Sequence, residues 1–241
     1  MNFFVYEIIS ILGKPISMGD YNIKSKVGPI SLDSRETLKD SLYIALLGEK
    51  YDGHDFIREA YSSGAKAFII NKSNSNLFSL GCLCWVVDDT LKAYQKLGLL
   101  HRSKINIPLI AITGSVGKTT TKEIVSSALS SKGNIVSSYG NNNNDIGVPK
   151  TILRATSSDE AIVVEMAMRG IGEIERLSNC SKPDIAVITN IGTSHIGRLG
   201  SRNQIAIAKS EIVKALNPNG LLIIPSGCSI LLDALYGNWK G

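Results

Sequence analysis

The chain has 241 residues, of which 44% are hydrophobic and 20% charged, and a formal net charge of +5. That balance excludes a disordered chain, and no apolar run reaches the ~18–20 residues of a membrane span. The positive charge is spread thinly, so it suits an anionic small substrate and offers no basic cluster for nucleic acid.

The first ten residues are apolar but interrupted by Glu7 and lack a basic lead, which reads as a short amphipathic helix and not a signal peptide. Residues 41–47, 67–70 and 84–87 read as short buried strands. Residues 56–63 have helical spacing, with Phe56, Ile57, Ala60 and Tyr61 on one face and Gly64 as a cap. A helix over 90–102 leads into 103–108, where Pro108 blocks continuation and marks a domain junction. The four cysteines, Cys82, Cys84, Cys180 and Cys228, have no paired metal-ligand spacing, and reduced thiols in a cytoplasmic protein are expected.

Beyond the junction the pattern is regular. Residues 109–113 form a buried strand, followed by a glycine turn and a helix over 119–131 with Ile124, Val125, Ala128 and Leu129 on one face. Further strands are expected at 161–165, 185–189 and 221–225, with helices near 172–179 and 205–216. Near-continuous apolar strands alternating with helices predict an α/β fold, a parallel sheet covered on both faces. Such sheets carry their chemistry at the carboxyl ends of the strands.

Gly114, Ser115, Val116, Gly117, Lys118, Thr119 and Thr120 sit at one such end, between a strand and a helix. Glycines let backbone N–H groups close around phosphate oxygens, and the helix start adds unpaired donors and partial positive charge. Lys118 is placed to reach the β- and γ-phosphates, and the Thr119 hydroxyl to bind Mg2+. The full G-x-x-x-x-G-K-[ST] pattern has glycine where this chain has Ile112, so the loop is a variant. The plainer alternative is a glycine turn before a helix with a solvated lysine; the flanking strand and helix favour nucleotide binding.

Residues 113–121 resemble the phosphate loop of the Mur ligases, ATP-dependent amide-forming enzymes of peptidoglycan precursor synthesis. Three further segments carry the resemblance. Asp33-Ser34-Arg35, Leu42-Tyr43-Ile44-Ala45, Gly48 and residues 52–57 (Asp-Gly-His-Asp-Phe-Ile) are similar to the family's amino-terminal UDP-binding domain. Residues 140–149 (Gly-Asn-Asn-Asn-Asn-Asp-Ile-Gly-Val-Pro) are similar to the branch that adds D-alanyl-D-alanine. Glu165-Met166, Gly172-Glu173-Ile174, Pro183-Asp184, Ile188-Thr189-Asn190, Gly192 and His195 follow in the family's order. Asp40 and Ala167 depart from it, each standing where the family favours glycine.

The resemblance implies a small α/β UDP-binding domain over 1–104, then a parallel-sheet, P-loop ATPase-type central domain over 105–241. The latter is expected to be truncated, since 241 − 104 leaves 137 residues, and the family's third, carboxyl-terminal domain to be missing. The implied reaction phosphorylates the terminal carboxylate of UDP-N-acetylmuramoyl-tripeptide with ATP; the amine of D-alanyl-D-alanine then displaces phosphate. Accumulating negative charge calls for cations more than for a nucleophilic side chain. The chain alone is expected to bind ATP weakly without ligase turnover, as a monomer that neither inserts in membranes nor binds nucleic acid.

By the same resemblance, Lys118, Asn143, Asn144, His195 and Lys209 are the catalytic candidates. Gly114, Ser115, Val116, Gly117, Lys118, Thr119, Thr120 and Asn190 would hold ATP, and Ser34 and Arg35 the UDP portion. Thr119 and Glu165 would bind one Mg2+; His195 and Lys209, the latter as a carbamate, a second. Each has a bland alternative: a strand-end acid in water for Glu165, a structural histidine for His195, a solvated lysine for Lys209 (with Lys214 one turn on as a rival). A turn-forming run remains open for the asparagines, and a surface arginine for Arg35. His54 is left open between a structural and a functional role. Competing readings are a non-catalytic nucleotide-binding module, the tripeptide-forming Mur ligase, or a folylpolyglutamate synthase relative, which would lack the Asp-Ser-Arg … Asp-Gly-His segment.

Overall fold

The computed structural model describes residues 2–48, 50–77, 81–236 and 239. The chain divides into two compact units, Met1–Leu97 and Gly98–Gly241. The division lies inside a helix, ahead of the expected 104/105 boundary. The reason is local: the last turns of that helix bond to the second unit, His101 Nε2 to Ala155 O at 2.7 Å and Arg102 Nη2 to Asp184 Oδ2 at 2.7 Å.

The first unit runs β1 (Phe3–Phe4), α1 (Val5–Leu12), β2 (Ser17–Met18), β3 (Lys26–Val27), β4 (Ile30–Ser31), β5 (Leu42–Ile44), α2 (Ile57–Ser62), β6 (Ala67–Asn71), β7 (Leu83–Val87) and the first part of α3 (Thr90–Lys104), the helix in which the division falls. Glu7, the acid that interrupts the apolar start, accepts a hydrogen bond from Phe4 N at 2.8 Å and so caps α1. Among the described residues β2-β7-β6-β5-β4 form one sheet, parallel from β4 to β7, with β2 antiparallel at the edge. Tyr43 and Phe68 meet edge to face at 6.2 Å and pack with Ile57 and Ala60 of α2. Asp40 has φ 62°, a left-handed conformation that glycine enters freely and aspartate tolerates, which accounts for the glycine expected there.

The second unit continues with β8 (Leu109–Thr113), α4 (Lys118–Leu129), β9 (Ile135–Ser137), α5 (Gly147–Arg154), β10 (Ala161–Glu165), α6 (Glu173–Ser181), β11 (Ile185–Ile188), α7 (Ile196–Leu199), α8 (Arg202–Ser210), β12 (Leu221–Ile223) and α9 (Ser229–Leu235). The sheet order is β12-β11-β8-β10-β9, and each pairing is parallel. Alternate side chains take opposite faces. Leu109, Ala111, Ile162, Val164, Ala186 and Ile188 pack under α5, α6 and α8, while Ile110, Ile112 and Val163 pack with Val125 and Leu129 of α4. Burial on both faces explains the unbroken apolar runs. The expected helix over 205–216 is α8 plus a 3-10 turn, Glu211–Ala215. β9 and α5 lie outside the sequence expectations.

Candidate functional site in the second unit

β8 is central, with β10 and β11 on its flanks, so the segments leaving all three strands meet at one edge of the sheet. The β8–α4 loop is 114–117. Gly114 has φ 150°, and a Cβ there would run into Thr189 Oγ1. Gly117 has φ 80° and nothing near its Cβ position, so there the backbone conformation alone calls for glycine.

The loop is clamped by the segment after β11. Thr189 Oγ1 and Asn190 Nδ2 both donate to Val116 O, at 2.6 and 3.0 Å, and Val116 N donates to Asn190 Oδ1 at 3.1 Å. Ser115 N donates to Asn190 O, and Gly192 N donates to Ser115 Oγ at 2.9 Å. Asn190 therefore touches the loop itself. Lys118 arches back over it, its Nζ donating to Gly114 O at 2.9 Å and Ser115 O at 3.4 Å.

Glu165 ends β10 opposite Ile112, one residue from the loop's strand end. It is 3% exposed, which removes the reading as a strand-end acid in water. Its Oε2 accepts from Thr119 Oγ1 at 2.7 Å and its Oε1 from Asn143 Nδ2 at 2.9 Å. Ser138 Oγ accepts from Glu165 N at 3.2 Å. Sequence reasoning missed Ser138, which carries no motif signal. Among the described residues no cation pairs with Glu165, and no cluster of three or more His, Cys, Asp or Glu is placed to hold a metal ion. A hard divalent cation fits the oxygens of Thr119 and Glu165, provided phosphate oxygens complete its shell.

The asparagine run separates by role. Asn143 reaches Glu165, whereas Asn144 Oδ1 accepts from Ile146 N and Gly147 N at 3.2 and 2.9 Å and so caps α5. A Cβ on Gly147 would collide with the Asn142 backbone, which explains the glycine that follows the run.

Lys209 is 2% exposed on α8, while Lys214 is exposed. Burial, reinforced by the charge of Lys118, pushes the Lys209 ammonium down to about 8. His195 is exposed, with φ 67°, at the start of α7. Desolvation, then the charges of Lys209 and Lys118, hold its imidazole below the usual range. Lys118, His195 and Lys209 thus share one electrostatic field. Thr120 is exposed on α4.

In the first unit, Ser34 is buried in a 3-10 turn, Ser34–Glu36, and Arg35 forks onto Asp33 at 2.9 and 2.6 Å with its side chain 81% exposed. His54 is buried, bonds through Nδ1 to Asp52 Oδ1, and accepts from Asn71 N at 2.8 Å through Nε2. Both ring nitrogens are engaged in holding the loop to β6, a structural role.

The sequence profile of the Mur ligase middle domain matches residues 112–236, more than half of the chain. The chain belongs to the Mur ligase family. A second profile of that family, described as its catalytic domain, matches residues 26–93. A UDP-N-acetylmuramoyl-tripeptide–D-alanyl-D-alanine ligase of Synechocystis sp. is 41% identical over 216 residues, 90% of this chain and 47% of that protein. The ligase of the same name from Bacillus subtilis is 41% identical over 194 residues, 80% of this chain and 42% of that one. The crystal structure of MurF from Acinetobacter baumannii superposes with a TM-score of 0.87 at 31% identity, covering 98% of this chain and 52% of that chain. MurF ligase from Thermotoga maritima in complex with ADP gives 0.79 at 31% identity, covering 88% and 48%. The chain therefore spans about half the length of the Mur ligases it matches.

Proposed function

We propose that this chain supplies the UDP-substrate unit and the ATP-binding unit of a cytoplasmic ligase that joins D-alanyl-D-alanine to UDP-N-acetylmuramoyl-tripeptide. The observation that carries the reading is the buried Glu165 carboxylate, held by Thr119 and Asn143 beside the 114–117 loop. A carboxylate that no cation pairs with among the described residues, next to a helix start whose first N–H groups have no intrahelical acceptor, suits a nucleotide with its divalent metal. The ligase named for the curated relatives consumes such a nucleotide.

In this reading the N–H groups from Gly117 onward and Lys118 hold the phosphates, Lys118 leaving its loop carbonyls for phosphate oxygens. Thr119 and Glu165 would hold Mg2+, which supplies charge neutralisation at the β- and γ-phosphates when bound. Asn143 fixes the free oxygen of Glu165. Asn190 sets the loop's shape and lines the nucleotide site with Ser115 and Val116. His195 and Lys209 would face the second Mg2+. The lowered pKa of Lys209 raises the share of neutral amine, whose nitrogen can attack carbon dioxide and lose a proton to become a carbamate. Asn144 acts through α5, not on substrate. Ser34 and Arg35 hold the UDP portion, for which Arg35 exchanges its Asp33 partner.

The test is calorimetric titration of ADP, with and without Mg2+, into the 241-residue chain and its Lys118→Ala variant. Mg2+-dependent binding lost in the variant supports the reading; equal binding by both sinks it. Phosphate release that requires both the tripeptide and D-alanyl-D-alanine, measured on a protein carrying this chain at the relatives' full length, tests the substrates.

A further inference from the structure

Lys122 lies one turn beyond the phosphate-binding residues and has no part in the site described so far. It is 2% exposed, and it is the one fully buried residue of α4 among those described. Its Nζ donates to Ser138 O at 2.7 Å and pairs with Glu123 Oε1 at 2.6 Å, a partner whose own side chain is 65% exposed. Burying an ammonium is costly, and an apolar side chain of similar size would serve packing as well or better. The charge is spent on a backbone carbonyl at the end of β9.

That carbonyl belongs to Ser138, whose hydroxyl accepts from Glu165 N at 3.2 Å. Glu165 in turn accepts from Thr119 Oγ1 at 2.7 Å. Thr119 and Lys122 are three residues apart on α4 and so share a face. The four residues close a ring: α4 through Lys122 to β9, β9 through Ser138 to β10, and β10 through Glu165 back to α4. A second path runs the same way, because Ser138 opens the 139–144 segment whose Asn143 donates to the other Glu165 oxygen at 2.9 Å.

We infer that Lys122 is a positioning residue that acts through Ser138 to hold the Glu165 carboxylate where a nucleotide-bound Mg2+ needs it. The inference rests on the nucleotide reading above. It assigns Lys122 no contact with nucleotide or metal. Its effect belongs to the metal side of binding: the phosphate-facing N–H groups and Lys118 make none of the hydrogen bonds that close the ring, so nucleotide affinity without metal is independent of it. Partners behind a metal ligand commonly change metal affinity by 10–100-fold.

The test uses Lys122→Met, Lys122→Arg and Ser138→Ala in the full 241-residue chain, with ADP as the probe. ADP affinity is measured in EDTA and then across a Mg2+ titration. The expected result for Lys122→Met and Ser138→Ala is a rise of roughly tenfold in the Mg2+ concentration that gives half the full enhancement, with affinity in EDTA unchanged. Lys122→Arg keeps a donor to Ser138 O and recovers part of the shift. Ser138→Ala keeps the carbonyl that Lys122 holds and cuts only the link to Glu165 N, so if Lys122→Met does not fold, Lys122→Arg and Ser138→Ala decide together, a wild-type Mg2+ midpoint in both overturning the inference. A Mg2+ midpoint matching wild type in the folded variants overturns the inference and leaves the nucleotide reading standing. Affinity in EDTA that falls in step with the midpoint also overturns it, because Lys122 would then support the whole loop. Wild-type chain that binds ADP without any effect of Mg2+ overturns both.

Discussion

Replacing Glu165 by glutamine separates the needs of the fold from those of the site. The carboxylate is 3% exposed and accepts two hydrogen bonds, from Thr119 Oγ1 at 2.7 Å and Asn143 Nδ2 at 2.9 Å. Glutamine can keep both contacts: its oxygen faces Asn143, and its amide donates to the Thr119 oxygen, since a hydroxyl also accepts. Bonds to a charged acceptor contribute about 1.5–3 kcal/mol and neutral ones about 0.5–1.5, so weakening two costs about 2–3 kcal/mol. Against this stands the desolvation of a buried carboxylate without a cation, several kcal/mol in ordinary proteins. Glu165→Gln should therefore leave urea stability within about 1 kcal/mol of wild type, or raise it. Glu165→Ala strands the Asn143 amide and opens a cavity, and should cost about 2–4 kcal/mol. Metal-dependent ADP affinity should fall at least ~100-fold in both, equivalent to about 2.7 kcal/mol. Urea unfolding and calorimetry with and without Mg2+ read the two effects. If Glu165→Gln unfolds the chain by more than about 3 kcal/mol, Glu165 is a keystone of the fold and the reasoning fails. An unchanged Mg2+ dependence refutes it from the other side.

Gly114→Ala meets both a φ of 150° and Thr189 Oγ1, so it should displace the loop and lower ADP affinity more than ~10-fold by calorimetry. Asn144→Ala removes the cap of α5 and should cost about 1 kcal/mol in urea unfolding with ADP binding kept, whereas Asn143→Ala should weaken the Mg2+-dependent part of binding. His101 is buried against Ala155 O, and burial lowers its pKa from 6.5. The unfolded chain therefore binds the extra proton first as pH falls below about 6.5, and stability should drop from pH 7 towards pH 5; His101→Gln should flatten that slope in urea midpoints taken across the range.

The second unit was legible because β8, β10 and β11 are buried on both faces and announce themselves as apolar runs. β9 and α5 were not. β9 has three residues, too few to display a period. α5 opens with Gly147-Val148-Pro149, which reads as a turn; proline is tolerated there because the first turn of a helix has no intrahelical acceptor for its N–H groups. The sequence located the asparagine run but offered nothing to rank Asn143 against Asn144, since one side chain reaches across to β10 and the other bonds forward to the start of α5. The resemblance favours Lys209 over its rival Lys214, and burial separates them the same way, Lys209 being 2% exposed and Lys214 exposed. The resemblance assigns Arg35 to the UDP portion, and the guanidinium's suitability for anions also gives it an internal partner in Asp33. Lys122 looked like any helix lysine, because its partner is a backbone carbonyl, which no side-chain pattern encodes.

The clamp on the 114–117 loop also has a consequence in time. Thr189 and Asn190 lie 73 and 74 residues downstream of Val116. A ribosome adding about 5–20 residues per second makes that stretch in roughly 4–15 s. Until then the loop has emerged without the groups that hold its carbonyl, and β8 lacks a neighbour on one side. The clamped loop is thus among the later features of the second unit to take shape during synthesis, and a nascent chain halted before residue 189 should carry the loop's sequence without the ADP affinity proposed for it.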